Sequence, residues 1–527
     1  MDLTMSASDD SMGQPLFPAR KRLFMASVLL AFLFPYVTWK QAAGCALLLL
    51  LFNTLILPWL DVDTRKEPPT GGGPCKDLAL SLGERVASVA RRVRGHLLKL
   101  TSPSPARAAV DPSPGPRRLV KAPVVVHPLP MGEGERPFRV TPDMPTGIVL
   151  YPISVLALIV LYRNHLHIAA AAWAIMALGD GMATVTGEAL RGPALPWNRR
   201  KTWPGFISFV VAGTVGAYIL TRWIAPKIPP DKTLMVCAAA ALLGAVVESL
   251  PLALDDNITV PLVVGAFMFC AFLVERSALD SNLPYLGRRI LLAIPVNLVL
   301  ALLAWALRAA SRSGAICGFL LGTAIYLGYG YKSFLLLFAF VLLGSVTTRL
   351  GFAKKSARGV AERKGGARNW RQGLANLLVA AFFAILVITT HHETACLIAL
   401  VAALAEAAGD TISSEIGQWA SDRAYLITTF KPVPAGEDGG ISLAGTAAGF
   451  AASAIILGLG LGLGLCGPYR FAGPAIALAA AAVGNLFDSF LGATLQRRGL
   501  VTNGLVNFAG TSVAGGLALG LALRLGL

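Results

Sequence analysis

The stretch ALGDGMATVTGEALRGPALPWNRRKTWPG places acids, glycines and bases at the end of an apolar run in this 527-residue chain. Asp180 ends the run, Gly187 follows seven residues later, and Lys201 lies fourteen residues beyond that glycine. Glycine lets backbone N–H groups approach an anion while lysine adds a point charge, so the arrangement favours phosphate binding. The candidate phosphate contacts are Asn198, Lys201, Thr202 and Gly205.

A second stretch, EAAGDTISSEIGQWASDRAYLITTFKPVPAGEDGGISLAG, repeats both intervals with Asp410, Gly417 and Lys431. Each stretch also has a second acid nearby, Glu188 in the first and Glu415 in the second. The same offsets in two places indicate two related membrane units in tandem. The candidate phosphate contacts of the second unit are Lys431, Gly439, Gly440 and Ser442.

Further acids and amides follow each lysine downstream. A carboxylate in or beside a membrane span costs a few kcal/mol, which makes it a functional candidate. Several carboxylates without an arginine in the same span indicate a divalent cation, and oxygen-only ligands favour Mg²⁺. Mg²⁺ with carboxylates, lysine and glycines fits phosphoryl or nucleotidyl transfer. The downstream groups are Glu248, Asp255, Asp256 and Asn257 in the first unit, and Asp488 and Asn507 in the second.

A strongly basic segment, residues 349–371, precedes the second stretch. It carries eight Lys and Arg residues against the single acid Glu362. Cytoplasmic loops of membrane proteins collect such charge, so membrane orientation is one explanation. The Gly365-Gly366 pair makes a polyanion site the rival interpretation. Its candidate ligands are Lys364, Arg368 and Asn376.

The composition is that of an integral membrane protein. Hydrophobic residues make up 55% of the chain, charged residues 14%, and the mean hydropathy is +0.63. Only helices satisfy their own backbone in lipid at this hydrophobicity, so we predict an all-α polytopic protein with thirteen to fifteen spans. Apolar runs long enough to cross a bilayer recur at 23–39, 41–60, 146–162, 168–186, 204–222, 233–251, 258–276, 288–309, 314–329, 332–348, 373–390, 393–409, 441–465, 472–494 and 505–526.

Charge placement predicts the orientation. The net charge of +17 lies between apolar runs, which favours positive-inside topology and not nucleic-acid binding. The segment PARKRLF before the first run predicts a retained anchor with a cytoplasmic N-terminus. We expect a bacterial inner membrane protein whose active sites face the cytoplasm.

Four parts are expected along the chain. Transmembrane anchor helices occupy residues 1–60, and a polar, Pro- and Gly-rich loop occupies residues 61–145. The run LGERVASVARRVRGHLLKL in that loop predicts a basic amphipathic helix, either on the membrane surface or in a solvated linker. The two membrane units follow at 146–280 and 281–527.

The motifs of both units resemble those of known families. The first unit resembles the dolichol kinase and phytol kinase family of polyprenol kinases, and the second resembles the phytyl-phosphate kinase family. The first resemblance rests on GIVLYPIS (147–154), GDGMATVTGE (179–188), LPWNRRKTWPGFISF (195–209) and VESLPLALDDNITVPL (247–262). The second rests on ARGVAERKGGARNWRQGLAN (357–376), AEAAGDTISSEIG (405–417), ITTFKPVPAGEDGGISLAG (427–445) and GNLFDSFLGATLQ (484–496).

The resemblance implies a bifunctional kinase that uses CTP and Mg²⁺. Its first half would phosphorylate a long-chain isoprenoid alcohol such as phytol, and its second half would phosphorylate the monophosphate. The implied partners are a nucleoside triphosphate, the prenol, its monophosphate and membrane lipid. Phe24 stands where members of the first family commonly have histidine.

The resemblance also assigns roles to residues. The implied metal carboxylates are Asp180, Asp256, Asp410 and Asp488. The implied catalytic groups are Asp180, Lys201, Glu248, Asp255 and Asp256 in the first unit, and Asp410, Glu415, Lys431 and Asp488 in the second. Asn257, Asp438 and Asn507 complete the implied sites.

Two other functions share some of these features. Phosphatidate cytidylyltransferases also combine lysine, Pro-Gly turns and paired aspartates in a membrane, and they release pyrophosphate. Transporters also contain repeats and intramembrane carboxylates. The basic and glycine-rich elements here lie at span ends near water and not at the membrane midplane, which favours the kinase.

Overall fold

The computed structural model describes residues 25–51, 53–54, 146–360, 367–467 and 471–527. Eleven helices in this part of the chain are long and apolar enough to cross a membrane, which confirms the predicted all-α polytopic architecture. Two further apolar helices, Trp39–Leu51 and Val149–Leu161, are shorter. The described residues thus hold fewer full-length spans than predicted. The expected amphipathic helix in the 61–145 loop lies outside them, as does Phe24.

Helices and strands are numbered here in chain order. The helices are α1 (Trp39–Leu51), α2 (Thr146–Leu161), α3 (Leu166–Leu190), α4 (Trp203–Ile224), α5 (Pro230–Ser249), α6 (Asp256–Leu273), α7 (Arg276–Ala306), α8 (Arg312–Tyr329), α9 (Tyr331–Arg349), α10 (Phe352–Ala357), α11 (Trp370–Thr389), α12 (Glu393–Ala420), α13 (Leu443–Gly462), α14 (Ala472–Gln496) and α15 (Asn503–Arg524). The strands are β1 (Ala194–Leu195), β2 (Asn198–Thr202), β3 (Arg423–Leu426), β4 (Pro432–Pro434) and β5 (Gly440–Ile441).

Contacts divide the chain into two compact units. Of the described residues, one unit takes those within 25–43 and 154–527, and the other takes those within 44–54 and 146–153. Nearly all of the two predicted kinase-like segments therefore falls within the first of these units.

One order of elements occurs twice in the described chain. A long helix, α3 or α12, leads into a short antiparallel sheet, and three helices follow, either α4 to α6 or α13 to α15. In both copies the long helix packs against all three helices that follow it. The sheets differ, because β1 pairs only with β2 whereas β3 pairs with both β4 and β5. We call the two copies the first and second repeats.

The helix after each sheet begins in the same way. Thr202 Oγ1 accepts a hydrogen bond from Gly205 N at 3.4 Å, and Ser442 Oγ accepts one from Gly445 N at 3.1 Å. Such N-cap hydroxyls satisfy backbone N–H groups that have no partner inside the helix. Thr202 and Ser442 thus fix the starts of α4 and α13.

Glycines at these helix starts allow close packing against the long helix. A Cβ added to Gly205 would lie 2.9 Å from the Ala183 carbonyl oxygen of α3. A Cβ added to Gly445 would lie 2.6 Å from the Ser413 carbonyl oxygen of α12. Small residues let helix backbones approach in this way. The contact holds the helix after the sheet against the long helix that carries Asp180 or Asp410.

Replacing Gly445 with alanine should separate α12 from α13. The added methyl group meets backbone atoms that cannot move independently, and overpacking of this kind costs about 1–3 kcal/mol. Gly458 lies in the same helix with nothing within 4 Å of its Cβ position, so Gly458→Ala should stabilise the protein by about 0.5–1 kcal/mol. Thermal unfolding in detergent should lower the Tm of Gly445→Ala and raise that of Gly458→Ala. Equal shifts would contradict the close packing.

Candidate active site

Three carboxylates from three helices meet in the first repeat. One oxygen of each of Asp180, Glu248 and Asp256 lies within 4.8 Å of the other two. Asp180 ends the π-helical turn Ile175–Asp180 within α3, Glu248 lies at the end of α5, and Asp256 begins α6. Because π-helical turns interrupt the regular helix and often occur at functional sites, this one marks the point where α3 presents its acid.

The amide and acid beside Asp256 shape the start of α6. Asp255 Oδ1 accepts hydrogen bonds from Asn257 N at 3.0 Å and from Asn257 Nδ2 at 2.8 Å. Asp255 is therefore the N-cap of α6. Its position gives it a role in holding Asp256 and Asn257 in place, whereas Asp256 itself belongs to the carboxylate cluster.

Lys201 provides the positive charge of this cluster. Its Nζ forms an ion pair with Glu248 Oε1, and its side chain remains 37% exposed. Burial lowers the pKa of Lys201, but the negative charges of Glu248, Asp180 and Asp256 outweigh this and raise it above the ordinary lysine value. The ammonium group is consequently a permanent cation at neutral pH.

The β1–β2 hairpin is tied to the end of α5. Trp197 Nε1 donates to Ser249 Oγ at 3.1 Å, and Asn198 Nδ2 donates to the Ser249 carbonyl oxygen at 3.0 Å. Asn198 Oδ1 also accepts from Arg200 N at 3.1 Å. The predicted phosphate ligand Asn198 therefore orients the hairpin, and the tie fixes Lys201 opposite Glu248.

A cleft opens beside Lys201. It has a volume of about 260 Å³, slightly below the ~300–1,000 Å³ typical of small-molecule pockets. The cleft unites several residues selected from the sequence, namely Gly187, Glu188, Lys201, Thr202, Gly205 and Glu248. It joins a cation to small residues and backbone groups, as phosphate recognition requires.

The carboxylate cluster fits a divalent cation. A crevice of about 10 Å³, close to the space of one water molecule, lies among Asp180, Glu248, Asp256 and Asn257. All four side chains offer oxygen ligands, which Mg²⁺ prefers. The position next to a phosphate-sized cleft suits an ion that bridges protein carboxylates and phosphate groups.

The second repeat assembles a different set of polar groups. Asn507 Nδ2 donates to Asp410 Oδ2 and to Asn376 Oδ1, both at 3.1 Å. The carboxyl groups of Asp410 and Asp488 share a hydrogen bond. Arg368 lies within electrostatic reach of Asp410 and donates to Thr348 Oγ1 at 3.4 Å. The structure thus brings together five predicted site residues, Arg368, Asn376, Asp410, Asp488 and Asn507.

Other predicted residues of the second unit lie in the three-stranded sheet. Lys431 is exposed just before β4, far along the chain from the Ser442 cap, whereas Lys201 directly precedes the Thr202 cap. The equal Asp-to-Lys spacing in the two stretches therefore does not reflect equivalent positions, because the second sheet has an additional strand. Lys431 remains a predicted ligand without a structural counterpart of the Lys201–Glu248 pair.

The glycine turn of that sheet packs against α14. A Cβ added to Gly439 would collide with the backbone of Ala493, and Gly440 N donates to the Glu437 carbonyl oxygen at 3.0 Å. Asp438 accepts from Gln496 Nε2 at 2.8 Å. Burial and the neighbouring Glu437 raise the pKa of Asp438. This turn is held by α14, and its assignment to phosphate binding stays a prediction.

Glu415 occupies a buried ion pair. Lys355 Nζ donates to Glu415 Oε2 at 2.5 Å and to the carbonyl oxygens of Thr347 at 3.1 Å and Thr348 at 2.9 Å. Thr348 Oγ1 donates to Glu415 Oε1 at 2.8 Å. Removing one partner of such a pair typically costs about 3–5 kcal/mol. The geometry gives Glu415 a structural partner, and Lys364 lies outside the described residues.

Sequence reasoning missed Lys355 and Glu406. Lys355 stands beside the exposed Lys354 in a uniformly basic segment, so its burial has no sequence signal. Glu406 lies one helical turn before Asp410 in an alanine-rich run and is 1% exposed. An acid in so apolar a run was the available signal, because intramembrane carboxylates are functional candidates.

Comparisons with known proteins identify a family match in the second half of the chain. Residues 295–516 match the family described as integral membrane protein DUF92. An uncharacterized membrane protein of Methanocaldococcus jannaschii is 36% identical over 230 residues, which cover 43% of this chain and 92% of that protein. An uncharacterized membrane protein of Synechocystis sp. is 34% identical over 204 residues, or 38% of this chain and 78% of that protein.

Similarity to characterised enzymes is more limited. Phytol kinase 1 of Arabidopsis thaliana is 30% identical over 132 residues, which cover 24% of this chain and 43% of that kinase. No solved structure matches the chain significantly.

Replacing Glu248 with glutamine should lower the pKa of Lys201. Burial lowers the pKa of Lys201, and without the Glu248 charge less negative charge opposes that effect. The Lys201 side chain therefore becomes a free amine at a lower pH than in the parent protein. Amine labelling over a pH series, resolved by mass spectrometry, should show Lys201 reacting at lower pH in Glu248→Gln. Glu188→Gln, at an exposed acid of the same cleft, is the control and should leave the profile unchanged. An unaltered Lys201 profile in Glu248→Gln would contradict the electrostatic coupling.

Proposed function

The chain belongs to the integral membrane protein family DUF92, and we propose that it is a bifunctional isoprenoid-alcohol kinase. It would phosphorylate a prenol such as phytol or geranylgeraniol to the monophosphate and then to the diphosphate, with CTP as donor and Mg²⁺ as cofactor. The observation that carries the proposal is the meeting of Lys201 with Asp180, Glu248 and Asp256 at a cleft. Similarity to phytol kinases supports the substrate class.

In the first step the prenol hydroxyl oxygen bonds to the γ-phosphorus of the donor. The bond from that phosphorus to its bridging oxygen breaks, and CDP leaves. Lys201 turns from Glu248 toward the donor phosphates, which frees the Glu248 carboxylate to accept the hydroxyl proton. Asp180 and Asp256 hold the cation. Bound Mg²⁺ supplies neutralisation of phosphate charge, which is the main requirement of a loose phosphoryl-transfer transition state.

Three aromatic rings offer the acceptor an apolar approach. Trp197, Trp203 and Phe206 lie edge to face, with ring centroids 5.8–6.4 Å apart, and Phe206 also lines the cleft. Tryptophans of this kind are enriched where a membrane meets water. They suit an alcohol whose chain stays in lipid while its hydroxyl enters the cleft.

The second step uses the polar network of α11, α12, α14 and α15. The prenyl monophosphate oxygen takes the γ-phosphoryl group, and again CDP leaves. Its acceptor already carries about two negative charges, so a cation must face it. Arg368, beside Asp410, would supply that charge, and Lys364 of the basic segment stays a candidate from the sequence alone. Asp410 and Asp488 provide the metal carboxylates, and Asn376 and Asn507 orient them.

The basic loops support an orientation with both sites facing the cytoplasm of a bacterial cell. Loops rich in Lys and Arg remain on that side, and CTP is available there. The proposal therefore includes location in the inner membrane.

The direct test is an assay of the purified full chain. Phytol, geranylgeraniol and a longer prenol are supplied in turn with Mg²⁺ and each nucleoside triphosphate, and mono- and diphosphate products are resolved. Release of CDP with prenyl phosphates is expected. Release of pyrophosphate from CTP, with a cytidylylated lipid, would instead identify a cytidylyltransferase and overturn the kinase assignment.

Lys201→Ala should abolish alcohol phosphorylation while leaving monophosphate phosphorylation intact. The lysine serves only the first cleft, so the two steps should separate when alcohol and monophosphate are supplied independently. Lys227, exposed in the turn between α4 and α5, is the matched control, and Lys227→Ala should retain both activities. Loss of both steps in Lys201→Ala would refute the two-site scheme.

A further inference from the structure

Glu406 is a carboxylate without a partner near the middle of α12. It is 1% exposed, and neither carboxylate oxygen has a hydrogen-bond partner. The helix around it is almost entirely buried and rich in alanine. No ion pair joins it to a Lys or Arg within the part of the chain that the structure describes.

The carboxylate of Glu406 points into the second polar network. Its Oε1 lies against Gly510 of α15, and its Cγ lies against Gly484 of α14, close enough that a Cβ on either glycine would collide with it. A Cβ on Gly510 would also lie 3.2 Å from Asp488 Cβ. Two glycines thus make room for Glu406 beside Asp488.

Two further oxygens of this network lack hydrogen bonds. Asp488 Oδ2 and Asn507 Oδ1 are buried and unpartnered, although the other polar atoms of Asn507 and Asp410 are engaged. Buried polar atoms are nearly always satisfied in native proteins, and an exception calls for an explanation such as strain, a catalytic role, or a bound water or ion. Here the unsatisfied atoms are all oxygens, and they lie on adjacent side chains of three helices.

The acids of the two repeats can be compared through equivalent glycines in their last helices. Gly265 and Gly515 both pack against the helix that precedes their repeat, through Leu158 of α2 and Phe383 of α11 respectively. Eight residues before each glycine stands an asparagine, Asn257 or Asn507. The residue before Asn257 is Asp256 of the first carboxylate cluster.

The residue before Asn507 is Val506, so the second repeat lacks an acid where the first has Asp256. The residue four before Asp180 is Met176, and the residue four before Asp410 is Glu406. Each repeat therefore carries three acids on its helices, but among the described residues the close meeting of three oxygens within 4.8 Å is found for Asp180, Glu248 and Asp256. In the second repeat Glu406 of the long helix stands in place of the acid that the first repeat has on its last helix.

We propose that Glu406, Asp488 and Asn507 bind a divalent cation of the Mg²⁺ class beside Asp410. This inference rests on the proposed function and adds Glu406 to the carboxylates proposed for the metal of the second kinase step. Oxygen-only donors suit a hard cation, and a cation removes the large desolvation cost of an unpaired carboxylate in an apolar interior.

Mn²⁺ binding to the purified full chain tests the site without nucleotide or prenol. Asp256→Asn first disables the cluster of the first repeat, and free Mn²⁺ is followed by electron paramagnetic resonance. We expect Asp256→Asn to bind one Mn²⁺ per chain, and the added Glu406→Gln change to weaken that binding at least ~10-fold. Glu393→Gln, at an exposed acid of the same helix, is the control and should leave binding unchanged. Unchanged binding in the Glu406→Gln double variant, or no Mn²⁺ bound by Asp256→Asn, overturns the site.

A second variant separates loss of the ligand from loss of the fold. Glu406→Met introduces the residue that the first repeat has at this position. With chelator present it should unfold at the same or a higher temperature than its Asp256→Asn parent, because an unpaired buried acid is removed. The rise in Tm that Mg²⁺ gives the parent should disappear. A Mg²⁺-dependent rise that persists in Glu406→Met overturns the inference.

Failure of the inference is distinguishable from failure of the kinase proposal. If Glu406 substitution removes Mn²⁺ binding but the parent phosphorylates no prenol or prenyl phosphate, the site stands and the kinase proposal fails. If both kinase steps occur and the Glu406→Gln change leaves Mn²⁺ binding unaltered, the kinase proposal stands and the site fails.

Discussion

Pairing of a buried carboxylate with a lysine from a connecting segment organises two places in this helix bundle. Desolvation of an isolated carboxylate costs far more than one contact returns. Glu248 meets Lys201 of the β1–β2 hairpin, and Glu415 meets Lys355 where a short helix folds back on α12. The hairpin and the short helix therefore position cations as well as connect spans.

Sequence motifs predicted the first site more fully than the second. Asp180, Lys201, Glu248 and Asp256 stand at helix ends or in the hairpin, where a break in hydrophobicity reveals them, and the structure brings them together. The equal spacing suggested that Lys431 corresponds to Lys201, but the two lysines hold different positions. The second sheet has an additional strand, and a strand can be added without altering the surrounding helices. Tertiary packing alone buries Lys355 and pairs it with Glu415, and no local pattern encodes that pairing.

The repeats share a scaffold and differ in their polar groups. Hydroxyl caps at Thr202 and Ser442, and glycines at the start of the following helix, recur with the same contacts. These features depend on the close approach of two helix backbones, and side chains at other positions do not alter that approach. Acids occupy different helices in the two copies, so similar packing carries different polar groups.

The hydrogen bonds from Trp197 and Asn198 to Ser249 have a consequence for ligand selection at the cleft. A hairpin fixed at its tip to a helix end does not swing across the cleft as a lid. Enzymes that close over a substrate use binding energy to complete their catalytic groups and gain discrimination from that closure. In a recess with fixed walls, discrimination between ligands must come from shape and charge that are in place before a ligand arrives.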